Sequence, residues 1–115
     1  MNMNVIITGA TGMVGKSVLI ECLEHPSVKS VLVINRRPIG WKHPKLKEII
    51  HPDFFDLSSI EDQLRDFDAC FFCLGVSSIG LSELQFQKYT YALTIHFAET
   101  IVKENPHMIF NYVSG

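Results

Sequence analysis

Residues 8–15 read Thr-Gly-Ala-Thr-Gly-Met-Val-Gly, with three glycines spaced three residues apart. This stretch follows an apolar run, Asn4–Thr8, that is typical of a strand buried on both faces, and it leads into a helical pattern over Met13–Leu23. In such a unit the first glycine permits a tight turn, the second lets a pyrophosphate approach the backbone, and the third lets the helix pack close to the strand. Because the helix N-terminus also offers free N–H groups, the stretch predicts a phosphate-binding turn rather than a turn that holds nothing.

A second interpretation of the same stretch is weaker. Gly15-Lys16-Ser17 imitates the end of a nucleoside-triphosphate P-loop, but that motif needs a glycine five residues before Gly15, where this sequence has Ala10. No apolar strand ends in the aspartate that would hold magnesium. We therefore expect Lys16 to be a solvated helix residue.

The rest of the chain alternates strand and helix patterns. Four more apolar runs predict strands: Val31–Ile34, Glu48–Ile50, Ala69–Leu74 and Met108–Val113. Capping-box spacings predict two more helices, one opened by Ser58 and Glu61 and ending near Arg65, the other opened by Ser82 and Gln85 and ending near Glu104. Residues 38–46 are predicted to be a loop. This order favours an α/β fold, a doubly wound parallel sheet of order 3-2-1-4-5.

The fifth strand would lie at an open edge of that sheet. An exposed apolar edge is a pairing hazard, so we expect that the fold is truncated after this strand or that another subunit covers it. Apolar residues at helical spacing in the last helix add a second surface for a homo-oligomer: Leu84, Tyr91, Ile95, Ala98 and Ile101. Residues 1–115 are then one domain, the N-terminal portion of a longer fold.

Composition excludes several classes of protein. Hydrophobic residues make up 47% of the chain and the formal net charge is −2, without the basic stripe of a nucleic-acid-binding protein. The longest nearly uncharged run, Ala69–Leu81, is shorter than the roughly 20 residues of a membrane span. The N-terminus carries no signal-peptide pattern. Three cysteines cannot all pair within the chain, which favours a reducing cytoplasm.

Cys70 and Cys73 have the spacing of a metal or redox pair. On a strand, residues three apart point to opposite faces, so their sulfur atoms cannot converge on one ion. The five histidines are scattered along the chain. The sequence therefore predicts buried apolar cysteines and no metal site.

Residues 8–15 resemble the Thr-Gly-Ala-Thr-Gly-x-x-Gly signature of the extended and atypical branches of the short-chain dehydrogenase/reductase superfamily. The resemblance implies a Rossmann fold that binds NAD or NADP across the carboxyl ends of its strands. It assigns cofactor contacts in the turn to Gly9, Thr11, Gly12, Met13, Val14 and Gly15.

The end of the second predicted strand bears on which dinucleotide is bound. Chains that select NAD usually place Asp or Glu there, to bond the ribose 2′-hydroxyl, whereas this sequence has Asn35 followed by Arg36 and Arg37. A guanidinium can hold a 2′-phosphate with two charge-assisted bonds. We therefore expect NADP(H) rather than NAD(H); the alternative is that both arginines are solvated loop residues.

Two further segments match the family pattern. Asp56-Leu57 resembles the pair that flanks the adenine, with the carboxylate accepting from the exocyclic amine; alternatively, Asp56 caps the following short helix. Cys73-Leu74-Gly75 resembles the segment whose backbone passes beneath the cofactor ribose. Cys73 and Leu74 have a simpler interpretation as core residues.

Catalysis in this superfamily relies on a Tyr and a Lys four residues later, with a Ser after the fifth strand. The chain contains no Tyr-x-x-x-Lys, and Ser114 is the candidate for the serine. The resemblance thus implies the dinucleotide-binding domain of a reductase or of a nucleotide-sugar-epimerase-like oxidoreductase, acting on an unknown small molecule at a hydroxyl or carbonyl carbon. The alternative is a non-catalytic module that senses a dinucleotide or binds another protein.

Overall fold

The structure is a computed structural model that describes residues 2–73 and 82–113. In chain order its elements are β1 (Met3–Thr8), α1 (Met13–Glu24), β2 (Val28–Asn35), β3 (Leu46–Ile50), a 3₁₀-helix (Glu61–Leu64), β4 (Ala69–Cys73), α2 (Glu83–Glu104) and β5 (Ile109–Val113). The five strands form one parallel sheet in the order β3-β2-β1-β4-β5, which confirms the predicted fold class and topology. β2 begins at Val28 rather than Val31, and β3 at Leu46 rather than Glu48.

Two hydrophobic cores lie on opposite faces of the sheet. Alternate residues of β1 supply both, since Val5 and Ile7 pack in the core beneath α1 while Ile6 packs in the core beneath α2. Phe97 of α2 is fully buried, and its ring lies 5.0 Å from that of Phe72 on β4. A strand covered on both faces needs a continuous apolar run, which is what the sequence of β1 provides.

Helix α2 begins as predicted, but the face that it buries is not the apolar stripe noted in the sequence. Ser82 caps it through a complete capping box with Gln85. The core residues of α2 are Leu93, Phe97 and Ile101. Of the apolar stripe noted in the sequence only Ile101 is buried; the large residues left exposed are Leu84, Tyr91 and Ile95.

The capping box predicted at Ser58 and Glu61 is wrong. The Asp56 carboxylate accepts hydrogen bonds from both the Ser58 N–H, at 3.1 Å, and the Ser58 hydroxyl, at 2.6 Å. Because that hydroxyl is engaged by the preceding turn, it does not cap a helix. The chain instead forms a 3₁₀-helix that begins at Glu61, without a side-chain cap.

The Asn105 side chain bonds the C-terminal end of α2 to neighbouring segments. Its side chain is buried, with Oδ1 accepting from the Phe67 N–H and Nδ2 donating to the carbonyl oxygens of Leu64 and Ile101. This one amide therefore joins α2, the 3₁₀-helix and the segment leading into β4.

Strand β5 lies at the edge of the sheet, as expected, with Ile109 64% and Tyr112 48% exposed. Within residues 2–73 and 82–113, no helix is long and apolar enough to cross a membrane.

Candidate functional site

The glycine-rich turn joins β1 to α1 through backbone that two of its glycines make possible. Gly9 has φ +68°, and a side chain there would overlap the carbonyl oxygen of Cys73 on β4. A side chain on Gly15 would in turn overlap the carbonyl oxygen of Gly9. Both positions therefore require glycine for the close packing of the turn, and Gly9 requires it for its φ as well.

Gly12 differs from its neighbours in the motif. Its φ is −79°, and among the described residues a Cβ built on it would meet only the Gly9 carbonyl oxygen, at an ordinary 3.6 Å. The fold would thus accept a side chain at this position. Gly12 is the N-cap of α1, yet it provides no side-chain cap, and the first turn of the helix holds no acidic residue. No described residue accepts from the first N–H groups of α1, which leaves them for another acceptor.

A crevice of about 350 Å³ opens at the carboxyl ends of β1, β2 and β4. This position, where the strand order reverses between β1 and β4, is where doubly wound sheets bind their ligands. Its lining combines backbone, two cationic side chains and an apolar floor: Thr8, Gly9, Thr11, Asn35, Arg36, Arg37, Phe54, Phe72, Cys73 and Leu93.

Arg36 and Arg37 bring positive charge to the crevice. Both are exposed, and neither forms a salt bridge to another described residue. The Arg36 guanidinium carbon lies 5.9 Å from the centroid of the Phe54 ring, within the range of a cation–π contact. These two cations are therefore available to an anionic ligand.

Asn35 is not an available ribose acceptor. It is 2% exposed; its Oδ1 accepts from the Ala10 N–H of the turn at 3.0 Å, and its Nδ2 donates to Glu48 Oε2 at 2.9 Å. The same Glu48 oxygen accepts from the Ile39 N–H at 2.9 Å. Sequence reasoning treated Glu48 only as a strand residue, because nothing in its spacing signals these partners.

The pair after the third strand lies outside the lining of the crevice. Leu57 is buried in the core under α2, whereas Asp56 is exposed. Hydrogen bonds from Ser58, followed by the charges of His51 and His96, lower the pKa of the Asp56 carboxyl. The alternative that Asp56 caps the following short helix is wrong, because its carboxylate bonds to Ser58 in the preceding turn and the 3₁₀-helix that begins at Glu61 has no side-chain cap.

Apart from Asp56 and Leu57, which lie outside the crevice lining, the predicted site residues fall into three groups. Five of them line the crevice: Gly9, Thr11, Arg36, Arg37 and Cys73. Four form the N-cap and first turn of α1 directly after Thr11: Gly12, Met13, Val14 and Gly15. Leu74, Gly75 and Ser114 lie outside the described residues.

Sequence reasoning missed the apolar floor of the crevice. Phe54, Phe72 and Leu93 come from a loop, a strand and a helix, and each also belongs to the core. Their spacing resembles that of any core residue, so no sequence signal separates them from it.

The cysteines belong to the packing. Cys70 packs in the core under α2 and Cys73 in the core under α1, which confirms that they face opposite sides of the sheet. Burial raises the pKa of each of the three thiols, Cys22, Cys70 and Cys73, and so keeps them protonated. Within the described part of the chain, no three His, Cys, Asp or Glu residues come together as metal ligands.

Comparison with known proteins adds to this geometry. A family model described as the NAD dependent epimerase/dehydratase family matches residues 5–114. The chain is similar to uronate dehydrogenase from Agrobacterium tumefaciens, with 18% identity and a TM-score of 0.72 over 99% of this chain and 41% of that one. It is also similar to ADP-L-glycero-D-manno-heptose-6-epimerase from Helicobacter pylori, with 23% identity and a TM-score of 0.73 over 99% of this chain and 39% of that one.

A third similar structure is a short chain dehydrogenase from Leptospira borgpetersenii with bound NAD+, at 17% identity and a TM-score of 0.71, over 97% of this chain and 51% of that one. At these identities the likeness shows the fold alone. The chain spans about two fifths of the length of the first two structures, at 41% and 39%. No curated protein matches the sequence.

Proposed function

The chain belongs to the NAD-dependent epimerase/dehydratase family, and on that premise we propose that it binds NADP(H) in the crevice at the carboxyl ends of β1, β2 and β4. Residues 1–115 would then be the dinucleotide-binding domain of a reductase or a nucleotide-sugar-epimerase-like oxidoreductase. A bound nicotinamide supplies hydride transfer at a hydroxyl or carbonyl carbon, and the task of this chain is to bind and orient it.

The observation that carries the proposal is the bare N-cap of α1. Glycine at position 12 is needed neither for φ nor for packing against the described residues. Its lack of a side chain instead leaves the uncapped N–H groups of α1 open to a group from outside the chain. A pyrophosphate is the dinucleotide group that such a helix N-terminus accepts.

The preference for NADP(H) rests on charge at the end of β2. The Asn35 amide is engaged by Ala10 and Glu48, while Arg36 and Arg37 line the crevice without a salt bridge to any other described residue. A 2′-phosphate would complement those guanidinium groups. The dinucleotides of two solved relatives, described as NAD complexes, support the cofactor class but not this choice.

The remaining contacts are extended from the family pattern. We propose that Asp56 and Leu57 flank the adenine, that Cys73, Leu74 and Gly75 pass beneath the ribose, and that Ser114 serves as the serine of the family. The exposed Asp56 carboxylate can accept a hydrogen bond from the adenine amine.

A second function, a dinucleotide-dependent interaction module, is favoured by the edge strand, which exposes Ile109 and Tyr112. In this proposal the dinucleotide is sensed without turnover, and a second copy pairs through β5 or through the exposed apolar residues of α2.

The three free, buried cysteines support a cytoplasmic location.

The experiment that tests the proposal is a fluorescence titration of the 115-residue chain with NADPH and with NADH, run alongside Gly12→Ala. We expect saturable NADPH binding, and a loss of at least about tenfold in affinity for both dinucleotides in Gly12→Ala. The added methyl group would hold the pyrophosphate away from the N–H groups of α1, and one lost hydrogen bond to a charged group costs about 1.5–3 kcal/mol.

Lys16→Ala, one turn along the same helix, is the matched control and should bind as the original chain does. Absence of binding in the original chain, or unchanged binding in Gly12→Ala, would overturn the assignment. Added carbonyl compounds should cause no NADPH oxidation by this chain; steady oxidation would favour the enzyme over the module.

A further inference from the structure

Glu48 is an exposed glutamate on an edge strand that hydrogen bonds nevertheless hold in place. It lies on β3, at the edge of the sheet. Here one oxygen, Oε2, accepts two hydrogen bonds of 2.9 Å, from the Asn35 side-chain amide and from the Ile39 backbone N–H. Bonds to an ionised acceptor are stronger than bonds between neutral groups.

The Asn35 side chain extends this arrangement to the glycine-rich turn. It is buried and accepts from the Ala10 N–H at 3.0 Å, so a continuous chain of hydrogen bonds runs from Ile39 through Glu48 and Asn35 to Ala10. Without Glu48, the buried Asn35 Nδ2 would lose the only acceptor that the described residues give it. The carboxylate thus determines how Asn35 is held.

The segment that carries the two crevice arginines lies between the two groups that Glu48 holds. Arg36, Arg37 and Pro38 are the residues between Asn35 and Ile39, and both ends of this short segment bond to the same carboxylate oxygen. Fixing both ends reduces the conformational freedom that the arginines would lose when they engage a ligand.

We propose that Glu48 is a positioning residue for dinucleotide selectivity: by holding Asn35 and Ile39 it presents Arg36 and Arg37 to a 2′-phosphate and aligns them with the pyrophosphate-binding turn. The inference rests on the proposed function, because it names the device that makes the NADP(H) preference. In this proposal the Glu48 carboxylate does not touch the dinucleotide. It favours NADP(H), the more anionic ligand, because it holds the segment that carries Arg36 and Arg37.

The test compares Glu48→Ala, Glu48→Gln and the original chain in titrations with NADPH and with NADH. Glu48→Ala should weaken NADPH binding by about tenfold and NADH binding by less than about threefold, since the two anchoring bonds act mainly through the arginines. Glu48→Gln should restore most of the selectivity, because its amide oxygen can accept from both N–H groups. Glu99→Ala removes the same side chain from an exposed site on α2 and should change neither affinity.

A structural role alone would lower thermal stability in Glu48→Ala and leave the ratio of the two affinities unchanged, and that result would overturn the inference. Should Glu48→Ala not fold, Glu48→Asp is the second variant, since it keeps the charge but shortens the side chain. For the inference to stand, Glu48→Asp must lower the ratio of NADPH affinity to NADH affinity. Failure of the original chain to bind either dinucleotide would reject the proposed function itself, whereas binding with an unaltered ratio in the variants rejects only the role of Glu48.

Discussion

The carbonyl oxygen of Gly9 occupies the space into which a side chain on Gly15 would project. The close approach of β1 to α1 is therefore made by this pair, while Gly12, between them, has room for a Cβ. Three glycines of one motif thus divide into two that the fold requires and one that only a ligand would require. Substitutions can separate the two requirements.

Gly15→Ala should destabilise the protein. The added methyl group would overlap backbone atoms of Gly9 and Ala10, which cannot move aside as a flexible side chain would. We expect a loss of about 3 kcal/mol, at the upper end of the cost of overpacking, measured by urea unfolding. Gly12→Ala, with a negative φ and ordinary contacts, is the matched control and should unfold within about 1 kcal/mol of the original chain. Equal losses of unfolding free energy in the two variants would contradict the conclusion that the fold requires glycine at position 15 but not at position 12.

Arg36→Ala and Arg37→Ala should each affect the two dinucleotides differently. Both guanidinium groups line the crevice, and a 2′-phosphate distinguishes NADPH from NADH. A lost charge-assisted bond costs about 1.5–3 kcal/mol, so NADPH affinity should fall about tenfold or more in at least one variant, with little change for NADH. Lys42→Ala, which removes a charge of the same sign outside the crevice lining, should leave the ratio unchanged. Equal weakening for NADH would show that the arginines do not read the 2′-phosphate.

Ser58→Ala should raise the pKa of the Asp56 carboxyl toward its ordinary value of 3.8. The Ser58 hydroxyl donates to that carboxylate at 2.6 Å and is the largest cause of the lowered pKa. Because the folded pKa lies below the unfolded one, the turn is stabilised above about pH 3.8 and loses that stabilisation as pH falls through the folded value. Carboxyl ¹³C NMR titration checks the shift, with Ser17→Ala as the control; an unmoved Asp56 titration would disprove the assigned cause.

Local sequence patterns predicted most of the fold. Continuous apolar runs identified the strands and the glycine triplet identified the turn, and the alternation of strands and helices then gave the strand order. The predicted cap at Ser58 is wrong because Asp56, two residues earlier, competes for the Ser58 hydroxyl, and spacing alone cannot rank an aspartate turn above a helix cap.

The buried face of α2 needed tertiary information. Leu84, Tyr91 and Ile95 keep helical spacing, and so do Leu93, Phe97 and Ile101. The second stripe is covered because the sheet lies against it, as the contacts of Phe97 with Phe72 on β4 and Phe110 on β5 show. The hydrogen bond between Asn35 and Glu48 could not be predicted for the same reason: it forms because β2 and β3 lie side by side, which local spacing does not show.

Asn105→Ala should cost much of the stability of the domain. The buried Asn105 amide makes three hydrogen bonds, to the Phe67 N–H and to the carbonyl oxygens of Leu64 and Ile101. Removing it leaves the Phe67 donor and the Leu64 acceptor without their partner in a region that water does not readily reach, so we expect a loss of about 2–4 kcal/mol in urea unfolding. Asn2→Ala, at an exposed position, is the control and should change stability by less than about 0.5 kcal/mol. If the two variants unfolded alike, Asn105 would not be what holds α2 to the 3₁₀-helix.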